Sequence, residues 1–270
     1  MKRFNQSGFT LIELVLVIVI VGLLASIAMN SGRQFYATAR VEEARQELDA
    51  LAYAVAGNPA LESNGFRSDF GYVGDVGALP PDLDALVTNP GGYATWRGPY
   101  VHSSFTQFAD DFKTDPWGSA YVYAGVTITS NGSGGNIVRR LATSSGELLA
   151  NRVSGNVRDR DGTPPGTIYA DSLTAVLAVP DGAGSMVIRN AAPDAAGYFV
   201  FDSVPIGTHD LSVAYGPTGE TVTRVVSVVP GTTAYTELTL PTDVWAINTA
   251  TPEPVGHHTA ESQAANDTGD

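Results

Sequence analysis

One carboxylate, Glu13, interrupts an otherwise apolar run from Phe9 to Met29. A charge on a membrane helix costs roughly 2.5–3.5 kcal/mol near mid-bilayer and is usually functional. The chemistry open to such a group is ion pairing. A buried carboxylate and a buried amine each relieve the other's desolvation when they meet. Upstream, Gly8 precedes the apolar run, whereas an ordinary secretory leader has its small-residue cleavage site after it. Cleavage between Gly8 and Phe9 would leave the apolar segment on the mature chain and expose a new amine at Phe9.

The other residues with chemical potential read as structural. The histidines are His102, His209, His257 and His258. His209 and Asp210 are neighbours in a strand-like run, so they point to opposite faces and form no dyad. His257 and His258 lie in a polar tail with no third ligand beside them. Asp159, Asp161 and Asp181 sit among Gly and Pro and read as turn formers. Asp82 and Asp84 suit the positive end of a short helix. Trp96, Tyr100, Trp117 and Tyr121 read as the core of a small domain rather than a sugar-stacking surface, and Arg139-Arg140 as a solvated strand face. No serine sits in a Gly-x-Ser-x-Gly elbow. No catalytic, metal-ligand or phosphate-cradling motif stands out, so an enzyme is not expected.

These residues need elements to position them. The apolar run is about 20 residues long, the length that crosses a bilayer core. Lys2 and Arg3 ahead of it predict a cytoplasmic N-terminus and a remainder outside. After Met29 the pattern becomes amphipathic: Val41, Ala44, Leu48, Leu51 and Val55 share one helical face. Gly57-Asn58-Pro59 ends it. A single helix over 9–56 would be about 70 Å long at 1.5 Å per residue, with Asn30-Ser31-Gly32 a place to kink or locally melt. Residues 57–150 read as a compact α+β head, with a short helix over Leu79–Val87 and strands at Ala120–Tyr123 and Ile137–Leu141. The 270 residues carry a formal net charge of −13, which excludes nonspecific nucleic-acid binding through Lys and Arg. There is no cysteine, so no disulfide braces the part outside the cell membrane.

Gly8-Phe9-Thr10-Leu11-Ile12-Glu13 resembles the class III signal of type IV pilins and type II secretion pseudopilins. That resemblance implies a leader over 1–8, cleavage between Gly8 and Phe9 by a prepilin peptidase, and N-methylation of Phe9 by the same enzyme. It makes Glu13 the assembly residue that meets a neighbouring subunit's N-terminal amine. Leader removal takes the formal charge from −13 to −15. The head, with Trp96-Arg97-Gly98-Pro99-Tyr100 and Asp115-Pro116-Trp117-Gly118 before an antiparallel sheet, resembles the major pseudopilin of type II secretion. The absence of cysteine fits that branch better than pilins with a disulfide-closed loop. The family binds calcium between late strands, but the matching stretch here, Thr129–Asn136, has no Asp or Glu, so no cofactor is expected. Implied partners are the prepilin peptidase, other pilin or pseudopilin subunits and an inner-membrane assembly platform. The implied location is the inner membrane as a single-pass prepilin, then a periplasmic pseudopilus or a cell-surface filament.

Residues 151–241 change character. Strand-like runs at Arg152–Arg158, Thr167–Val179, Ser185–Arg189, Gly197–Phe201, Thr208–Tyr215, Thr221–Val229 and Thr233–Leu240 alternate with turns. They resemble carboxypeptidase-regulatory-like and Cna-B-like sandwiches, which would turn Phe199, Phe201, Leu211 and Val213 inward. An isopeptide crosslink is not carried over, because the only lysines are Lys2 and Lys113. Residues 242–270 read as a disordered tail, with Trp245 docking as a last strand. The expected class is α+β: a long helix, a small pilin-like head, an all-β Greek-key sandwich and a tail. The expected function is a secretion pseudopilin. The alternative is a type IV pilus pilin, minor or at the tip, whose sandwich serves adhesion or ligand binding.

Overall fold

The computed structural model describes residues 10–101 and 111–245, with the side chains of Ala28, Asn30, Ser31 and Arg33 set aside. Helix α1 runs over Leu11–Ala56, 46 residues and about 69 Å. It continues unbroken through Asn30-Ser31-Gly32, where the sequence offered a place to kink or melt. It stops at Gly57, whose φ of +79° and position against the backbone of Asp69 leave no room for a Cβ. Ala44, Leu48, Leu51 and Val55 are buried, as their spacing predicts.

The head wraps this second half. A hairpin of β1 (Glu62–Ser63) and β2 (Phe66–Arg67) leads to α2 (Gly71–Val76), which buries Tyr72, Val73 and Val76 beside Leu48 and Val55. The expected helix over Leu79–Val87 shrinks to one 3₁₀ turn, Asp84–Leu86. Pro80 and Pro81 hold the residues before them extended, and the Asp82 carboxylate caps the turn by accepting from the Ala85 N–H at 3.0 Å. A three-stranded antiparallel sheet follows: β3 (Val122–Ala124), β4 (Thr127–Ser130) and β5 (Ile137–Arg140). The expected strand at Ala120–Tyr123 starts later, at Val122. β5 binds α1 through Arg139, 2.9 Å from Asp49.

Helix α3 (Ser145–Leu149) passes directly into β6 (Asn151–Arg158). The rest is a two-sheet sandwich. One sheet has the order β11-β10-β7-β8 and the other β12-β6-β9. These are β7 (Leu173–Pro180), β8 (Met186–Ala191), β9 (Tyr198–Val204), β10 (Gly207–Tyr215), β11 (Glu220–Val228) and β12 (Thr233–Thr239). β10 returns to lie beside β7, the Greek-key return, while β12 pairs parallel to β6. Phe199, Phe201, Leu211 and Val213 all face the core. The expected strand Thr167–Val179 begins only at Leu173. Pro165 starts a helical turn, α4 (Gly166–Tyr169), in its place. Trp245 docks from a turn, not a strand. It is stacked on Tyr169 at 6.0 Å and its indole N–H donates to the Thr163 carbonyl at 3.0 Å. Residues 246–270 of the expected tail, with His257 and His258, lie outside the described residues.

Head and sandwich share packing. Ile206, between β9 and β10, is fully buried in the head's core, and its N–H donates to the Leu148 carbonyl at 2.9 Å. Gly182 N–H donates to Val76 O at 2.9 Å and Ser227 Oγ–H to Arg67 O at 3.2 Å.

Candidate assembly site

The first turn of α1 is built by Thr10 and Glu13. Thr10 has extended dihedrals and accepts from the Glu13 N–H through its hydroxyl, at 3.4 Å. The Glu13 carboxylate accepts in return from the Thr10 N–H at 3.4 Å and the Thr10 hydroxyl at 3.3 Å. This is a reciprocal capping box. It places a negative charge at the positive end of a long helix. Glu13 stands out in the sequence by its charge, and the cap is a second role for it, signalled by Thr-x-x-Glu before an apolar run. Gly8 and Phe9, the expected cleavage junction, lie outside the described residues.

Beyond Glu13 the helix is apolar on every side. Leu11, Leu14, Leu16, Ile18, Leu24 and Ile27 are all at least half exposed. The Ser26 hydroxyl donates to the Leu23 carbonyl at 2.9 Å, so its polarity is absorbed within the helix. Nothing lies within 4 Å of where a Cβ on Gly22 would be. A helix apolar all round needs lipid or other helices as surroundings. Among the described residues, no helix is by itself long and apolar enough to cross a membrane. The contiguous described run, Leu11–Ile27, is about 26 Å long, short of a core of about 30 Å; the apolar sequence from Phe9 to Met29 extends past both its ends.

Asp115 reaches into the Thr129–Asn136 loop, bonding to Ser130 and Gly132. It is 4% exposed. Its Oδ1 accepts from the N–H groups of Trp117 (3.1 Å) and Ser119 (2.8 Å), and its Oδ2 from the Ser130 hydroxyl (2.7 Å) and the Gly132 N–H (2.9 Å). Burial alone would raise its pKa, but these hydrogen bonds outweigh it and hold the carboxyl below its usual range. A calcium ion takes six to eight oxygens, carboxylates prominent among them. Here the Asp115 carboxylate already accepts four hydrogen bonds, two at each oxygen. Among the described residues no group of three or more His, Cys, Asp or Glu able to hold a metal occurs.

The remaining candidates fall into structural roles. Asp159 accepts from the Thr163 N–H at 2.9 Å, and Asp181 from the N–H groups of Ala183 and Ser185 at 2.7 and 2.9 Å. Trp96 and Tyr100 pack edge to face, 5.7 Å apart, and the Tyr100 hydroxyl donates to Asp75 at 2.9 Å. Tyr121 is buried and its hydroxyl donates to Glu47 on α1. His209 faces inward, its Nε2 2.9 Å from the Pro205 carbonyl, while Asp210 is exposed on the other face. His102 lies outside the described residues.

Comparison with known proteins fits this arrangement. The prokaryotic N-terminal methylation motif matches residues 3–29. The type II secretion system core protein G of Pseudomonas aeruginosa is 30% identical over 124 residues, 46% of this chain and 76% of that protein. This chain belongs to the type II secretion core protein G family. The family's protein from Xanthomonas campestris pv. campestris is 27% identical over 122 residues, 45% of this chain and 71% of its own length. A fimbrial protein of Moraxella nonliquefaciens is 45% identical over 53 residues, 20% of this chain and 34% of that one. Each core protein G match leaves more than half of this chain outside it. The likeness therefore accounts for a pseudopilin and not for a sandwich of this size.

Proposed function

We propose that this chain is a structural subunit of a type II secretion pseudopilus, trimmed between Gly8 and Phe9 and assembled through α1. The observation that carries it is the bare apolar half-helix behind a single charged cap, in a chain of the core protein G family. Before assembly the run Phe9–Met29 resides in the inner membrane, with head and sandwich outside the cytoplasm. In the filament it exchanges lipid for neighbouring helices. Cleavage creates an amine at Phe9, and the Glu13 carboxylate of an adjacent subunit is its partner. That pairing fixes axial register more than it adds stability, since both ions must first be desolvated. The head dispenses with calcium: Asp115 ties the β4–β5 loop to the Trp117 turn in its place. The prepilin peptidase and the inner-membrane platform act on the chain from outside it.

Two measurements test this reading. Mass spectrometry of the mature protein gives an N-methylated Phe9 at its start; a chain still beginning at Met1 overturns it. Deletion of the gene abolishes export of secreted enzymes and leaves surface pili intact. The appended sandwich favours a second reading, a type IV pilus pilin with a ligand-binding domain. The reverse phenotype, lost pili with normal secretion, selects that one.

A further inference from the structure

The outer face of the β9-β6-β12 sheet holds a trough distinct from the first turn of α1. In the cross-strand register Tyr198 lies opposite Asn156, and Glu237 lies on the other side of Asn156. The next row is Val200, Ser154 and Tyr235. Short polar side chains thus floor the middle strand, and larger ones rim it on both sides. The rims are two strand spacings apart, about 10 Å. Tyr198 and Tyr235 are 40% and 55% exposed, while Ser154 on the floor is 4% exposed.

The hydrogen bonds fix how one rim lies. The Tyr235 hydroxyl donates to Glu237 Oε1 at 3.1 Å and accepts from Asn156 Nδ2 at 3.3 Å. Glu237 is two residues along the same strand and on the same face. These bonds hold the hydroxyl end of the ring between Asn156 and Glu237, and Tyr235 stays more than half exposed. Beside it, Asn156 Oδ1 and Arg158 Nε are buried with no hydrogen-bond partner.

We propose that this trough binds a neutral oligosaccharide, with one pyranose ring stacked on Tyr235. Three observations select that ligand. An aromatic ring more than half exposed, as Tyr235 is, can offer its π-face to the C–H face of a sugar. The amide, carboxylate and guanidinium around it can both donate to and accept from hydroxyls. Arg152 and Arg158 balance Asp202 and Glu237, with Arg152 2.7 Å from Asp202, so no net field favours an anion. A peptide cannot pair as a strand along the trough's floor, because β6 is already paired on both edges and only β9 and β12 are edge strands.

The test is calorimetric titration of the mature full-length chain in detergent micelles with cellohexaose, mannohexaose and chitohexaose. At least one binds, and Tyr235→Ala weakens it about tenfold, or ~1.4 kcal/mol. Tyr235→Phe keeps the ring and retains most of the affinity. Tyr198→Ala weakens binding on the opposite rim, and Val225→Ala, exposed on the other sheet, leaves it unchanged. Thermal unfolding of each variant reads folding separately, and Glu237→Gln replaces Tyr235→Ala should that variant unfold. The proposal is overturned if none of the three sugars binds at about 10 mM, a free energy weaker than ~3 kcal/mol. It is overturned equally if Tyr235→Ala binds like the parent chain. Preferential binding of polygalacturonate or of an unstructured polar peptide also overturns it, in favour of an anion or peptide site.

Discussion

The two halves of α1 are made of similar residues and meet opposite surroundings. Leu14, Leu16 and Leu24 are 57%, 59% and 62% exposed, whereas Leu48 and Leu51 are 1% and 2% exposed. Each half also carries a carboxylate in an apolar setting. Glu47 is answered within the chain by the Tyr121 hydroxyl, and burial holds its pKa above the usual range despite that bond. Among the described residues Glu13 is met by Thr10 of its own first turn, through contacts of 3.3–3.4 Å. Pattern decides the difference. A striped helix can be covered by one head, but a helix apolar all round needs surroundings on every side. Half of this helix is folded by its own chain and half by what it joins.

The largest expected effect is on Glu13. Replacing it with Ala abolishes filament formation while expression and leader cleavage stay normal, read by shearing and immunoblotting of overproduced filaments. Filaments of normal yield would break the comparison at its root. The matching change in the other half should do the reverse. Leu48→Ala empties a fully packed site and costs about 2–5 kcal/mol, seen as a lowered midpoint in thermal unfolding. Leu16→Ala, more than half exposed, leaves that midpoint within about 0.5 kcal/mol of the parent and lowers filament yield. Equal effects of the two leucine changes on unfolding would erase the distinction between the halves.

Asp115 sharpens the picture of how the head covers its half of the helix. Asp115→Ala leaves the Ser130 hydroxyl and the N–H of Gly132 without their acceptor, at a cost of about 1–3 kcal/mol. Chelation with EDTA should shift the unfolding midpoint of the parent chain negligibly. A large stabilisation by added calcium would show that the loop reorganises around an ion.

Much of this was legible in the sequence for one physical reason: hydrophobic period. The stripe Val41–Val55 and the inward alternation Phe199/Phe201 and Leu211/Val213 follow from which side chains must leave water. The apolar run with Glu13 was legible for the same reason. What escaped was decided by groups distant in sequence. Asp115 reads as part of a turn, yet its Oδ2 is held by Ser130 and Gly132 across the sheet. The parallel pairing of β12 with β6 joins the sandwich's last strand to its first. Ile206 reads as a loop residue between strands, yet it fills the head's core. The trough residues Tyr198, Asn156 and Tyr235 come from three strands that only the register brings together. Local errors had local causes, as at Pro80-Pro81 and Pro165, where proline chemistry overrode a correctly sensed helix or strand.

The smallest effect tests whether the sandwich stands on the head as part of that cover. His209 is 2% exposed at the seam. A Cβ on Gly207 would meet both its ring and the Gly74 carbonyl of α2. Burial foremost, opposed by the bond to the Pro205 carbonyl and aided by the Arg189 charge, holds its pKa below the ordinary 6.5. The unfolded chain therefore binds more protons than the native one between the folded pKa and 6.5. Stability rises with pH across that window; it is fully present above 6.5 and is lost as pH falls. For one proton the slope is at most about 1.4 kcal/mol per pH unit. His209→Gln, of similar size and unable to ionise, should flatten this limb of the pH–stability curve. Hydrogen exchange would place the loss: amides of Ile206 and Gly182, which bond across the seam, lose protection on acidification before those of Leu48 and Leu51. If all four give way together, the sandwich and head cover α1 as one cooperative unit, and the boundary between bare and covered helix is the only one in the molecule that matters for folding.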